Sequence, residues 1–171
     1  YEGAKFLAWL LTPATVALAV PLYEQFSLLK HNAAAVAAGI ISGVLSSLGS
    51  VLGLAAIFGF SHEEYITFLP KSITTAIGMG VSEELGGIVS ITAGVIIITG
   101  VFGNILGELV LKLFRITEPV AKGIALGTSA HAIGTAKAME LGEAEGAMSS
   151  LSIAVSGLIT VAGAALFANF Y

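Results

Sequence analysis

Long stretches without a formal charge constrain this chain more than any other feature of its sequence. No Asp, Glu, Lys or Arg occurs in residues 33–60, 85–107 or 146–171. About 20 predominantly apolar residues in a helix are enough to cross the hydrocarbon core of a bilayer. The sequence therefore predicts an all-α, polytopic helical membrane protein, in which residues 1–171 form a single integral-membrane domain.

The overall composition agrees with a membrane environment and argues against several other classes of protein. Only 11% of the residues are charged, whereas soluble domains carry about 25%. The formal net charge of -4 gives no basic surface for a nucleic acid. The absence of Cys excludes disulfides and thiolate metal sites. We expect no enzyme activity, no cofactor, no metal site and no nucleic-acid partner.

The N-terminal stretch, residues 4–22, is apolar apart from Lys5 and contains two prolines. Thr12 before Pro13 is typical of a helix N-cap followed by proline at the first helical position. This pattern predicts a half-helix that starts within the membrane, although a proline kink in one continuous helix explains the same residues. The chain does not begin with Met, and we expect it to be truncated at the N-terminus.

Two further segments repeat each other. The triplet Ala-Ile-Gly at residues 76–78 recurs at 132–134, and Glu-Leu-Gly at 84–86 recurs with the same spacing at 140–142. Each copy follows one long apolar stretch and precedes another. We therefore divide the chain into two repeat units, about residues 33–88 and about residues 89–144.

Both repeated segments contain hydroxyl groups, glycines and ionisable side chains within membrane-like sequence. Irregular backbone is tolerated at membrane depth only where it is enclosed by protein or lines a cavity. Paired, glycine-interrupted segments in the two halves of a repeat are typical of a transporter's substrate site. We predict backbone breaks at Gly78, Gly127 and Gly134.

Loop charges distinguish segments that cross the membrane from segments that enter and leave on one side. If the first segment crosses, Lys112, Arg115 and Lys122 fall on the side opposite Lys30. If it is re-entrant, all four fall on one side, as the positive-inside rule favours. We predict two re-entrant segments that enter from opposite faces and form an inverted repeat.

The polar side chains of the two segments are the candidate substrate-binding residues. A lysine beside hydroxyl groups suits an anionic ligand, although a lysine that reaches the interface and hydroxyls that bond the backbone are the alternatives. The predicted set comprises Lys71, Ser72, Thr74, Thr75, Thr128, Ser129, His131 and Thr135.

Three titratable residues are candidates for coupling transport to protons. Histidine is the side chain that ordinarily titrates near neutral pH, which makes His131 a candidate, and Glu84 and Glu140 occupy equivalent positions in the two repeats. For the two glutamates, capping or orienting the following helix is the favoured interpretation. Coupling to sodium through backbone carbonyls is an equally open alternative.

Three stretches, in order along the chain, resemble motifs of the LrgB/CidB family. Residues 12–23, TPATVALAVPLY, resemble the family's GPATVALAVPLY, and residues 69–77, LPKSITTAI, resemble its LPKSVTTPIA. Residues 126–136, LGTSAHAIGTA, resemble its LGTASHGIGTA. Thr12 replaces a glycine of the family pattern and Ala76 replaces a proline.

The resemblance implies a multi-pass protein of the bacterial plasma membrane with two possible functions. One is secondary transport of a small monocarboxylate (glycolate, glycerate or pyruvate) by alternating access, as in the related plastid glycolate/glycerate translocator. The other is a holin/antiholin-like oligomeric regulator of murein hydrolase export and cell lysis. The partners it implies are the lipid bilayer, further copies of the chain and a small membrane protein of the LrgA/CidA type. It also implies that about two N-terminal helices are missing.

Overall fold

The computed structural model describes Val20 and residues 23–171. The predicted N-terminal half-helix, including Thr12 and Pro13, lies outside the described residues. Within the described part of the chain, all regular secondary structure is helical, as predicted. The elements are α1 (Phe26–His31), α2 (Ala33–Phe58), α3 (His62–Phe68), α4 (Thr75–Leu85), α5 (Val89–Leu113), α6 (Pro119–Leu141), α7 (Glu143–Phe167) and a final 3-10 turn (Ala168–Phe170).

Three of these helices are long and apolar enough to cross a membrane, which confirms the three predicted spans. They are α2, α5 and α7 with its 3-10 extension, and their mean hydropathies are 2.0, 2.0 and 2.1. Large aliphatic side chains such as Ile57, Ile105 and Leu158 are exposed on their outer faces. An apolar surface of this kind is the one that a lipid environment solvates.

Helices α3 and α4 form a first hairpin, residues 62–85, in which the end of α4 returns to α3. The Thr92 hydroxyl, in the first turn of α5, donates to the Thr67 carbonyl at 2.9 Å and contacts the Ser82 hydroxyl at 2.7 Å. Thr67 belongs to the last turn of α3 and Ser82 to the end of α4. The end of α4 therefore lies beside α3, and the turn at residues 69–74 is the tip that connects the two helices.

Helix α6 is a second hairpin, because its backbone reverses at His131. This residue has φ 43 and ψ -134, inside an otherwise helical segment. Its outward leg, residues 119–130, and its return leg, residues 132–141, lie side by side, since Leu126 and Ala138 pack together against Leu111 of α5.

The two hairpins enter the bundle from opposite ends. The first starts at the acidic end, defined by Glu63, Glu64, Glu83 and Glu84, where the Tyr171 hydroxyl also donates to the Phe60 carbonyl at 2.7 Å. The second starts at the cationic end, defined by Lys30, Lys112, Arg115 and Lys122. Each repeat unit thus contains one long helix followed by one hairpin, which is the arrangement expected for an inverted repeat of re-entrant segments.

The prediction of backbone breaks at Gly78, Gly127 and Gly134 is wrong, because all three glycines are helical. They allow close contacts instead. A Cβ on Gly127 would lie 2.5 Å from the Ser149 carbonyl oxygen, and one on Gly134 would lie 2.5 Å from the Leu126 carbonyl oxygen. A Cβ on Gly78 would collide with the Ile96 side chain. The breaks lie at residues 69–74 and at His131.

Candidate functional site

A hydroxyl-lined cavity of about 510 Å³ lies where the hairpin tips meet the middle of α2 and α5. This volume is within the range of small-molecule sites, about 300–1,000 Å³. Its polar lining consists of Ser46, Ser47, Ser50, Lys71, Ser72, Thr99, Thr128 and Ser129. We call it the central cavity.

Lys71 is the one ionisable residue among the described residues that line the central cavity. Its Nζ donates to Ser72 Oγ at 2.9 Å and to Ser47 Oγ at 3.3 Å. Among the described residues, no carboxylate pairs with it. Since both hydroxyl oxygens accept from the ammonium group, each keeps its own hydrogen for a further acceptor. The arrangement offers a cation and two donors to an anion.

Thr128 and Ser129 contribute hydroxyl groups from the second hairpin. The Thr128 hydroxyl donates to the Ile124 carbonyl at 2.7 Å, and the Ser129 hydroxyl donates to the Ala125 carbonyl at 2.6 Å. These bonds satisfy the hydroxyl hydrogens within α6. Both side chains therefore present oxygen lone pairs to the cavity, and they must rotate before they can donate to an anion.

The structure brings together half of the eight predicted binding residues: Lys71, Ser72, Thr128 and Ser129 line the central cavity. Thr74 is the N-cap residue of α4 and Thr75 is its first residue, and neither lines the cavity.

His131 and Thr135 also lie outside the lining of the central cavity. His131 Nε2 is 2.8 Å from the Ile96 carbonyl oxygen, which can only accept, so Nε2 carries the hydrogen. The Thr135 hydroxyl is 3.1 Å from the His131 carbonyl and 2.7 Å from the Ser149 hydroxyl. These two side chains fix the tip of the second hairpin against α5 and α7.

Glu84 and Glu140 lie at opposite ends of the bundle and are exposed to solvent. Glu140 pairs with Lys137 at 3.0 Å, and neither carboxylate lines the central cavity. Within the described part of the chain, no group of three or more His, Cys, Asp or Glu residues is placed to hold a metal ion.

Sequence reasoning missed the contribution of α2. Ser46, Ser47 and Ser50 line the central cavity, yet they lie in a stretch that reads as a simple apolar span. The spacing of these serines could have indicated a shared face, because residues three and four positions apart lie on one face of a helix. A face of several hydroxyls within a span points to a protein-lined or polar environment.

These features define an integral membrane protein in which two inverted re-entrant hairpins meet at a polar cavity. The sequence pattern of the LrgB-like family matches residues 1–170 of this chain. The chain therefore belongs to the LrgB-like family, which confirms the resemblance seen in the three motifs.

Curated relatives carry the name Antiholin-like protein LrgB. Those of Bacillus mycoides (strain KBAB4), Bacillus cereus (strain B4264) and Bacillus anthracis (strain CDC 684 / NRRL 3495) are each 40% identical over 168 residues. The match covers 98% of this chain and 73% of each relative. No solved structure matches the chain.

Proposed function

We propose that the chain is a secondary transporter of small monocarboxylates in the bacterial plasma membrane, with Lys71 as the anion-binding group. One observation carries the proposal: the ammonium group of Lys71 lies beside the middle of the long helix α2. Among the described residues, it bonds only to the hydroxyls of Ser47 and Ser72. A charge inside a membrane protein is costly, so an ionisable residue there is a candidate for a functional role. A substrate carboxylate would supply the missing counter-charge.

The central cavity favours an anion that also carries small polar groups. Its hydroxyls, from α2, α5 and both hairpins, suit a short acid with an additional oxygen, such as glycolate, glycerate or pyruvate. The choice among these acids rests on the family resemblance, while the class of anion rests on Lys71. Movement of the paired hairpin tips against the long helices would expose the cavity alternately to the two sides.

His131 is the proton-coupling candidate that the geometry favours. It lies two residues beyond Ser129, whereas Glu84 and Glu140 are exposed at the ends of the bundle. Because Nε2 bonds the Ile96 carbonyl, Nδ1 can take a proton without breaking that contact. Protonation at the hairpin tip would then bias the cavity toward binding the anion.

Uptake into proteoliposomes tests the role of Lys71. We expect wild-type protein to take up radiolabelled glycolate or pyruvate, Lys71→Gln to lose at least about 90% of that uptake, and Lys71→Arg to retain a part, because only Arg keeps the charge. Lys137→Gln is the matched control, since Lys137 lies in an ion pair at the cationic end. Uptake by Lys71→Gln at the wild-type rate would contradict the proposal, and so would no uptake by folded wild-type protein with and without a proton gradient.

The name of the relatives favours a second function more directly than it favours transport. We infer that the chain assembles when it acts in this role, because a holin/antiholin-like regulator needs contacts with further copies or with a small LrgA/CidA-type protein. At Gly49 and Gly53 a Cβ would meet no described residue within 4 Å, so these glycines give α2 a smooth face for a helix contact. Expression of Lys71→Gln in cells separates the roles, because normal control of lysis by this variant would place that function outside the central cavity.

A further inference from the structure

We propose that the cationic end of the bundle binds the phosphate headgroup of an anionic phospholipid. A cavity of about 350 Å³ lies there and shares no residue with the central cavity. Its charged lining is Glu108, Lys112, Arg115 and Lys122, and its apolar lining includes Leu111, Ile116 and Leu141. We call it the basic cavity. An excess of cations over carboxylates beside an apolar wall matches a ligand that is anionic at one end and apolar at the other.

The single carboxylate in the lining of the basic cavity is already neutralised. Glu108 lies 2.7 Å from Lys112 Nζ and 3.3 Å from Lys137 Nζ. Lys122 Nζ is 3.7 Å from Glu145, an ion pair too long for a good hydrogen bond. Among the described residues, no carboxylate pairs with Arg115. The guanidinium group is therefore available for a phosphate.

The backbone of Arg115 is held in a conformation that usually selects glycine. Its φ is 54, and it follows the last residues of α5 in a Schellman motif. The Ile116 N–H donates to the Leu111 carbonyl at 2.9 Å, and the Arg115 N–H donates to the Lys112 carbonyl at 3.1 Å. Glycine fits this position without strain, whereas a left-handed residue with a side chain costs about 1 kcal/mol. The chain therefore has an arginine at a position where glycine would be less strained.

The position of the basic cavity favours a lipid over a soluble anion. It lies at the end of the membrane-spanning helix α5, beside Leu113 and Phe114, which are 73% and 70% exposed. Acyl chains can cover these side chains while the phosphate meets Arg115. Basic pockets between membrane helices on the cytoplasmic side bind acidic headgroups, and a guanidinium group can donate two parallel hydrogen bonds to a phosphate.

Thermal unfolding of the purified full chain in a neutral detergent tests the site. We titrate the protein with phosphatidylglycerol or with phosphatidylcholine, and we expect only phosphatidylglycerol to raise the Tm. Arg115→Gly removes the guanidinium and gives the backbone its preferred residue. Its Tm without lipid should be equal to or above that of wild type, yet its affinity for phosphatidylglycerol should fall at least about tenfold, the loss expected for a charge-assisted hydrogen bond.

Lys30→Ala is the matched control, because Lys30 lies at the cationic end but does not line the basic cavity. It should keep its affinity for phosphatidylglycerol within about twofold. Three results would overturn the proposal: equal stabilisation by the two lipids, full affinity in Arg115→Gly, or an equal loss in Lys30→Ala. Inorganic phosphate at the same concentration distinguishes the source of the anion, since stabilisation equal to that by phosphatidylglycerol would reject a lipid ligand.

Discussion

His131 combines two roles at a single residue. It forms the tip of the second hairpin with a positive φ of 43, and its ring bonds the Ile96 carbonyl of α5. A Cβ on Gly100 would lie 2.6 Å from His131 Cε1, so the ring packs directly on the α5 backbone. The residue with the strained backbone is thus also the one that attaches the tip to its neighbour.

Replacing His131 separates these two roles. A glutamine at this position can still donate to the Ile96 carbonyl but cannot take up a proton. We expect His131→Gln to keep its Tm within a few degrees of wild type and to lose any pH dependence of uptake that comes from protonation of the imidazole. His131→Ala should be less stable by about 1 kcal/mol, the usual value of one hydrogen bond. Unchanged pH dependence in a folded His131→Gln protein would exclude proton coupling through this residue.

At the scale of whole elements, α7 holds the second hairpin through contacts between backbones. Gly127, in the outward leg, approaches the Ser149 carbonyl of α7, and Gly123, one turn earlier, approaches the carbonyl of Glu145. Small residues let membrane helices come this close. Backbone atoms cannot move aside as a flexible side chain can.

A methyl group at Gly127 should therefore separate α6 from α7. We expect Gly127→Ala to lower the free energy of unfolding by about 1–3 kcal/mol, as overpacking commonly does. Gly53→Ala is the control, because a Cβ there meets nothing within 4 Å in the part of the chain that the structure describes. Its stability should be unchanged or slightly higher. Unfolding in mixed detergent measures both variants, and equal stability of Gly127→Ala and wild type would contradict the close packing.

The long helices could be predicted from the sequence, but the positions of the hairpin tips could not. Spans follow from apolar length, which is a local property, and the three long helices match it. The tip at His131 follows from packing against Gly100 and Ile96, residues of another helix. A prediction from the sequence of one segment places the break in the helix at a glycine. In the structure, the break lies at a histidine that is held by contacts with another helix.

The residues of the candidate site likewise fall into those that the sequence indicates and those that only the folded chain reveals. Lys71 and Ser72 stand out because they interrupt an apolar segment, and they do line the central cavity. Ser47 does not stand out, since serine is common in membrane helices and its role depends on the distance to Lys71 Nζ. Side chains contributed by a distant helix need the folded chain to be recognised.

Across the whole molecule, basic residues of the described chain concentrate at one end. Lys30, Lys112, Arg115 and Lys122 lie at the cationic end, which contains glutamates as well, whereas residues 59–64, 83–88 and 168–171 at the acidic end contain no Lys or Arg. Short cytoplasmic loops collect Lys and Arg, so we expect the cationic end to face the cytoplasm. This orientation also determines from which side each hairpin enters.

Labelling of single cysteines tests this arrangement. The chain contains no Cys, so each introduced thiol is the only one. Glu63→Cys and Glu84→Cys lie at the two ends of the first hairpin, and we expect an impermeant maleimide to label both from outside intact cells. Glu118→Cys should react only after permeabilisation. Labelling of Glu63→Cys and Glu84→Cys from opposite sides would show that the segment crosses the membrane.

The two hairpin tips differ in how much chain they use to reverse direction. The first tip spreads the reversal over residues 69–74, whereas the second concentrates it at His131. A residue inserted into the first turn lengthens a loop and leaves both helices in register. A residue inserted beside His131 rotates the return leg by about 100°, which carries Gly134 and Thr135 away from their partners. The two halves of the repeat therefore differ in tolerance: length variation can accumulate in the first tip, while the second must keep its length.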